Sequence, residues 1–188
     1  MLRTLLVLGL TLFAAGAARP QEPPVNPLAQ SMVDFKKRVD DYMKLRGGIT
    51  KKVPKVEETG DPAKISSREK ALGQAIAMAR PAARPGDIFG EEMSVHLKKV
   101  LAADWKARSP ADRKALFEDI PKGLQLKVNQ VYPTSLPLAS VPAGLLAKLP
   151  LLPEELEYRV VDRYFLLRDR DANLIIDVLP DVLPRREK

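Results

Sequence analysis

The residues whose types and spacing could carry chemistry are acids near the C-terminus. Asp169-Arg170-Asp171-Ala172-Asn173 places acids at alternate positions, the pattern that opens a calcium-binding loop. An EF-hand-like loop needs glycine after its third ligand and an acid at its twelfth position, and Leu174 and Pro180 stand there instead. A polar hairpin turn is the plainer reading, because Asp and Asn tolerate turn dihedrals. Glu154-Glu155, and Asp177 with Asp181, are paired acids of the kind glycoside hydrolysis sets across a cleft, but helix starts and turns account for them better. A hydrolytic pocket would have to gather Asp162, Asp169 or Glu157 beside Arg159 and Arg163, with shifted carboxylate pKa values. His96 is the only histidine and falls mid-helix by periodicity, the place of a surface or boundary side chain rather than a general base. No Gly-x-Ser-x-Gly elbow accompanies it, and the chain has no cysteine to act as nucleophile or thiolate ligand. No catalytic residue, cofactor or metal site is assigned on these grounds.

Charge gives a second kind of candidate. The formal net charge is +7, and residues from Gly123 onward carry equal numbers of basic and acidic side chains, so the excess lies in the first half. Lys36, Lys37, Arg38, Lys44, Arg46, Lys51, Lys52 and Lys55 stand against two acids over residues 36–55. Such a cluster could hold an anionic envelope component such as lipid headgroups or acidic polymer. Nucleic acid is not expected, because aromatic residues are not interleaved for base stacking.

The elements that must position these residues can be read from spacing. Asn26-Pro27 is a capping start for a helix to about Leu45, with Leu28, Met32, Phe35, Val39 and Tyr42 as its apolar stripe and Gly47-Gly48 as its stop. Asp61-Pro62 starts a second helix, with Ile65, Leu72, Ile76 and Ala79 inward, closed by Pro81 and Pro85-Gly86. Residues 91–107 read as a third, with Met93, Leu97, Val100, Leu101 and Trp105 on one side. Ser109-Pro110 opens a short fourth, whose inner face would be Leu116, Phe117 and Ile120. Beyond Pro121 the texture changes. Residues 124–131 alternate like a half-buried strand, and prolines bracket a short helix over 143–149.

Residues 156–179 read as a hairpin turning around Arg170–Ala172. Even-numbered Leu156, Tyr158, Val160, Tyr164 and Leu166 would share a face with Leu174, Ile176 and Val178. Asp162 interrupts that face, and a bulge near Val161-Asp162 would turn it outward and bring Phe165 and Leu167 in. The fold expected is therefore α+β: a helical region over 27–120, a β-α-β-β unit over 121–184 and a tail over 185–188.

At the other end, Met1–Thr4 with one arginine, an apolar run to about Ala15 and small residues to Ala18 read as a secretory signal peptide, followed by a proline-rich spacer over 19–26. The run is shorter than the roughly 20 residues of a spanning helix. Localisation is thus expected to be periplasmic or secreted, with no transmembrane segment once the leader is removed.

Gly86-Asp87-Ile88-Phe89, Asn129–Pro133 with Pro137-Leu138, Leu149–Pro153 running into Leu156–Arg159, and Arg163 with Leu166–Asp169 through Ala172–Asp177 together resemble a group of small exported bacterial proteins of no assigned function. The hairpin, by Tyr158, Arg159, Asp169 and Ile175-Ile176, is also similar to the C-terminal unit of periplasmic nickel/cobalt-homeostasis-type proteins. These resemblances imply export and carry no catalytic residue across. The reading that follows is a non-enzymatic binding or accessory protein of the cell envelope, partnered by an anionic envelope component or another envelope protein. A small envelope hydrolase using carboxylates is the alternative.

Overall fold

The computed structural model describes residues 26–54, 61–118, 120–121, 123–137 and 141–184. The expected leader over 1–18, most of the spacer, Lys55 and the tail over 185–188 lie outside the described residues. Helices come first: α1 Pro27–Thr50, α2 Pro62–Ala79, α3 Glu91–Ala107, α4 Pro110–Ala115 and the single turn α5 Ala143–Leu146. Three strands follow, β1 Leu156–Val161, β2 Tyr164–Asp169 and β3 Leu174–Leu179, paired antiparallel in the order β1-β2-β3. The chain is thus α+β, with its helices N-terminal and its sheet C-terminal.

Local chemistry explains the helix starts. Asn26 Oδ1 accepts from Leu28 N at 3.0 Å, Asp61 Oδ1 from Ala63 N at 2.9 Å and Ser109 Oγ from Asp112 N at 3.1 Å, each ahead of a first-turn proline. Gly90, at φ 75°, stands before α3 in a conformation glycine adopts without strain. The stop expected at Gly47-Gly48 does not occur. Arg46 is anchored to the sheet on one side of the glycines, and Ile49 and Val53 pack on the core beyond them, offsetting a glycine cost of about 1 kcal/mol each.

The inward stripes are also shifted. On α1 the buried residues are Ser31, Phe35, Val39, Tyr42 and Arg46, while Leu28 and Met32 are exposed; on α2 Leu72 and Ile76 are buried and Ile65 is exposed. The α3 stripe of Met93, Leu97 and Leu101 is buried as its period requires. Phe35, Phe89, Phe165 and Tyr158 form a run of stacked rings joining the helices to one face of the sheet.

The C-terminal unit departs from the expected β-α-β-β order. Residues 124–131 form no strand; Val131 makes an isolated bridge to Leu174, and backbone bonds between Asn129–Tyr132 and Asn173–Ile175 lay this segment along the outer edge of β3. The expected first strand is two strands. A two-residue turn at Asp162-Arg163, with Asp162 at φ 52°, takes the place of the bulge and reverses the chain. Phe165 and Leu167 accordingly join Leu156 and Tyr158 on the helix-facing side, whereas Val161, Leu166, Ile175 and Val178 face a smaller second core with Tyr132, Leu126 and Leu136. The register shift lies in β3: Leu167 pairs with Asp177 and Arg168 with Ile175, so Ile176 is the extra residue. Ile176 and Asp177 therefore both turn towards the helices.

Candidate functional site

The acids of the sheet are held in three separate arrangements. Asp169, fully buried at the end of β2, accepts from Arg46 Nε at 2.6 Å, Tyr42 Oη at 2.7 Å and Ala172 N at 3.0 Å. Arg46 also reaches Asp171 at 2.5 Å, and Glu155 lies 3.9 Å away. The alternating acids that suggested a cation loop hold a guanidinium. Burial alone would weaken the Arg46 charge; its bonds to Asp169 and Asp171 more than reverse this, raising its pKa. Burial, then the neighbouring Asp169 carboxylate, pushes the Tyr42 hydroxyl far above its ordinary range.

Asp177 is the second. Its Oδ1 accepts from Gly86 N at 2.7 Å and Val178 N at 2.8 Å, and its Oδ2 from Ile88 N at 2.8 Å and Phe89 N at 2.7 Å. Burial raises its pKa against the pull of these four donors. The carboxylate thus fastens the Gly86–Phe89 loop to β3 and seats Ile88 and Phe89 in the core. Nearby, Arg80 donates to Ile176 O at 3.1 Å with its guanidinium over the Tyr42 ring.

The third lies on the opposite sheet face. Glu157 is opposite Arg168 across the β1–β2 ladder and bonded to it, and Arg159 turns back along its own strand to Glu157 at 2.6 Å. Burial acts against the Glu157 charge, yet the two arginines hold its pKa below the ordinary range. Arg168 also bonds Asn173 Oδ1 and covers the Tyr132 ring.

Of the hydrolytic arrangement, Glu157 does lie beside Arg159 on the groove along β1, with its pKa lowered, but the other acids and Arg163 are not gathered with it. Asp169 and Glu157 face opposite sides of the sheet, and Asp162 sits in the β1–β2 turn at the far end of β2 from Asp169, roughly 20 Å along an extended strand. Asp177 is buried, while Asp181 pairs with Arg163 at 2.6 Å. His96 lies half-buried on the wall of a shallow groove with Glu92 and Lys99. Among the described residues no group of three or more His, Cys, Asp or Glu could hold a metal ion.

Several cations of the basic cluster have partners within the chain. Lys36 pairs with Asp40 at 2.8 Å and Lys37 with Asp41 at 2.7 Å, while Lys44 reaches Asp41 at 3.5 Å. The Lys37 bond holds the Asp41 carboxyl below its usual range. Arg38 lies half-buried with its guanidinium against Gly90, and Arg46 is buried. Lys51 and Lys52 stay exposed beyond the end of α1.

Sequence reasoning missed the partnership of Tyr42 and Arg46 with Asp169. The signal was an arginine continuing the stripe of Phe35, Val39 and Tyr42 into a position that packs inward, where a guanidinium needs an acid.

The outer edge of β1 is more distinctive. Among the described residues β1 pairs only with β2, and beside it runs a groove of about 350 Å³ lined by Val141, Leu146, Pro150–Leu152 and Leu156–Arg159. Leu151 is 98% exposed and Leu146 49%, so apolar surface meets solvent there. Among the described residues no helix is long and apolar enough to cross a membrane. Comparison with protein-family models, curated proteins and solved structures found no match.

Proposed function

We propose that this chain is a non-enzymatic binding or accessory protein of the cell envelope that takes an extended segment of a protein partner on the outer edge of β1. The observation that carries this reading is the coincidence of an apolar groove bearing the exposed Leu146 and Leu151 with a strand that, among the described residues, pairs on one side only. An added strand draws affinity from backbone hydrogen bonds and selectivity from side-chain pockets, and this edge supplies both.

Parity identifies the free backbone groups. Val161 and Tyr164 flank the two-residue turn, the pair that exchanges both hydrogen bonds in such a hairpin. Arg159 and Glu157 follow at alternate positions, and Glu155 O accepts from Arg170 N in step with them. The backbone groups of Tyr158 and Val160 therefore point away from β2. The leader-like N-terminus supports placement in the envelope. A protein partner is favoured over an anionic polymer because acids at Asp40 and Asp41 interleave the lysines of α1. The carboxylate hydrolase is the weaker reading, since Asp169, Asp177 and Glu157 are occupied by donors of the chain itself.

The test is a photo-cross-linking residue placed at Leu151 in living cells, with exposed Gln74 on α2 as control. A discrete protein adduct at 151 and none at 74 is expected. No adduct at 151 would remove the edge as the working surface.

A further inference from the structure

We infer that the partner on this edge is a second copy of the chain, joined β1 to β1 in antiparallel fashion about a two-fold axis at Tyr158; this rests on the edge reading above. Along β1 the helix-facing positions Leu156, Tyr158 and Val160 are apolar, and Glu157 and Arg159 share the other face. Two copies related by a two-fold axis can pair only in registers that bring the outward-pointing residues 156, 158 and 160 opposite one another.

Centring the axis on Glu157 opposes two acids, and centring it on Arg159 opposes two guanidinium groups, each destabilising. An axis at residue 156 or 160 moves the pairing to an end of the strand. The axis at Tyr158 alone sets Leu156 against Val160, Tyr158 against itself and Glu157 against Arg159 in both directions. The acid and base then fall in a non-hydrogen-bonded pair, where facing side chains come closest.

The neighbouring charges fit the same register. Glu157 already has Arg168 across the ladder inside its own sheet, whereas Arg159 stands opposite Leu166. Across the axis Arg159, already bonded to Glu157 of its own strand, would also face Glu157 of the second copy, and the two three-stranded sheets become one of six. The exposed Leu146 and Leu151, beside this edge in each copy, are covered by the same approach.

The chain has no cysteine, which makes the register testable. Glu157→Cys and Arg159→Cys are prepared separately, mixed and oxidised. The mixture should yield a covalent dimer, while either variant alone should yield at least tenfold less, because identical positions lie on the diagonal, about 7–8 Å apart, beyond easy disulfide reach. Sedimentation of the unmodified protein guards against misfolded variants: it should show a concentration-dependent dimer, and Val160→Pro, which removes an outward N–H, should sediment as a folded monomer. A monomer at every concentration, or a dimer unaffected by Val160→Pro, would overturn the two-fold pairing. If the Leu151 adduct then carries a different protein, the edge reading stands without the dimer; if there is no adduct, both fall.

Discussion

Arg46→Met is the substitution that presses hardest on how helices and sheet are joined. Arg46 Nε lies 2.6 Å from an Asp169 carboxylate that is 0% exposed, and the two residues are 123 positions apart in sequence. Methionine keeps most of the apolar volume and removes the cation, leaving a buried carboxylate with only the Tyr42 hydroxyl and the Ala172 N–H as neutral donors. Stranding one partner of a buried ion pair costs about 3–5 kcal/mol. With domain stabilities of about 5–15 kcal/mol, that is a large fraction of the total. At roughly 2–4 °C per kcal/mol for a chain of this size, Tm should fall by about 10 °C. Urea unfolding followed by Trp105, the sole tryptophan, reads the change as a lower midpoint at constant slope. Adding Asp169→Asn should restore part of the loss, with a coupling of at least about 2 kcal/mol. Arg46→Met within about 1 kcal/mol of the parent, or a double variant that is simply additive, would refute the buried pair as the joint between α1 and the sheet.

Other sites respond in their own ways. Asp177→Asn turns an NH₂ group towards two backbone donors and should cost about 2–4 kcal/mol in urea unfolding, with raised hydrogen exchange over Gly86–Phe89. Glu157 has a folded pKa below its unfolded value, so its contribution is present above the unfolded pKa and is lost as pH falls through the folded one. Glu157→Gln should flatten that part of the acid limb in a stability-versus-pH series. Asp177, raised by burial, acts with the opposite sign: the stability it costs at higher pH is regained as pH falls through its folded pKa. Gly73→Ala would bring a Cβ to 2.8 Å from the Ala172 carbonyl oxygen, and should destabilise by about 1–3 kcal/mol although alanine is the better helix former.

Helix starts were legible in the sequence because a cap and a first-turn proline are neighbours in the chain: Asn26-Pro27, Asp61-Pro62 and Ser109-Pro110 act within one turn. The turn at Asp162-Arg163 was hidden because it has no glycine and apolar residues continue on both sides, so two strands read as one with a defect. Residues 124–131 alternate like a strand yet meet β3 only from Asn129 on, a matter of tertiary placement that periodicity does not carry. Asp177 looked like a turn acid and Arg46 like a surface cation. Each is buried for a long-range reason, a bulge at Ile176 in one case and an acid on β2 in the other.

Hydrogen exchange along β1 tests the proposed recognition edge most directly. In the purified protein the amides of Tyr158 and Val160 should exchange rapidly at low concentration and slow at least tenfold as concentration rises, while those of Glu157 and Arg159, already bonded to β2, stay protected throughout. Exchange at Tyr158 and Val160 that is slow in dilute solution, or fast at every concentration and with every partner captured at Leu151, would contradict a recognition edge there.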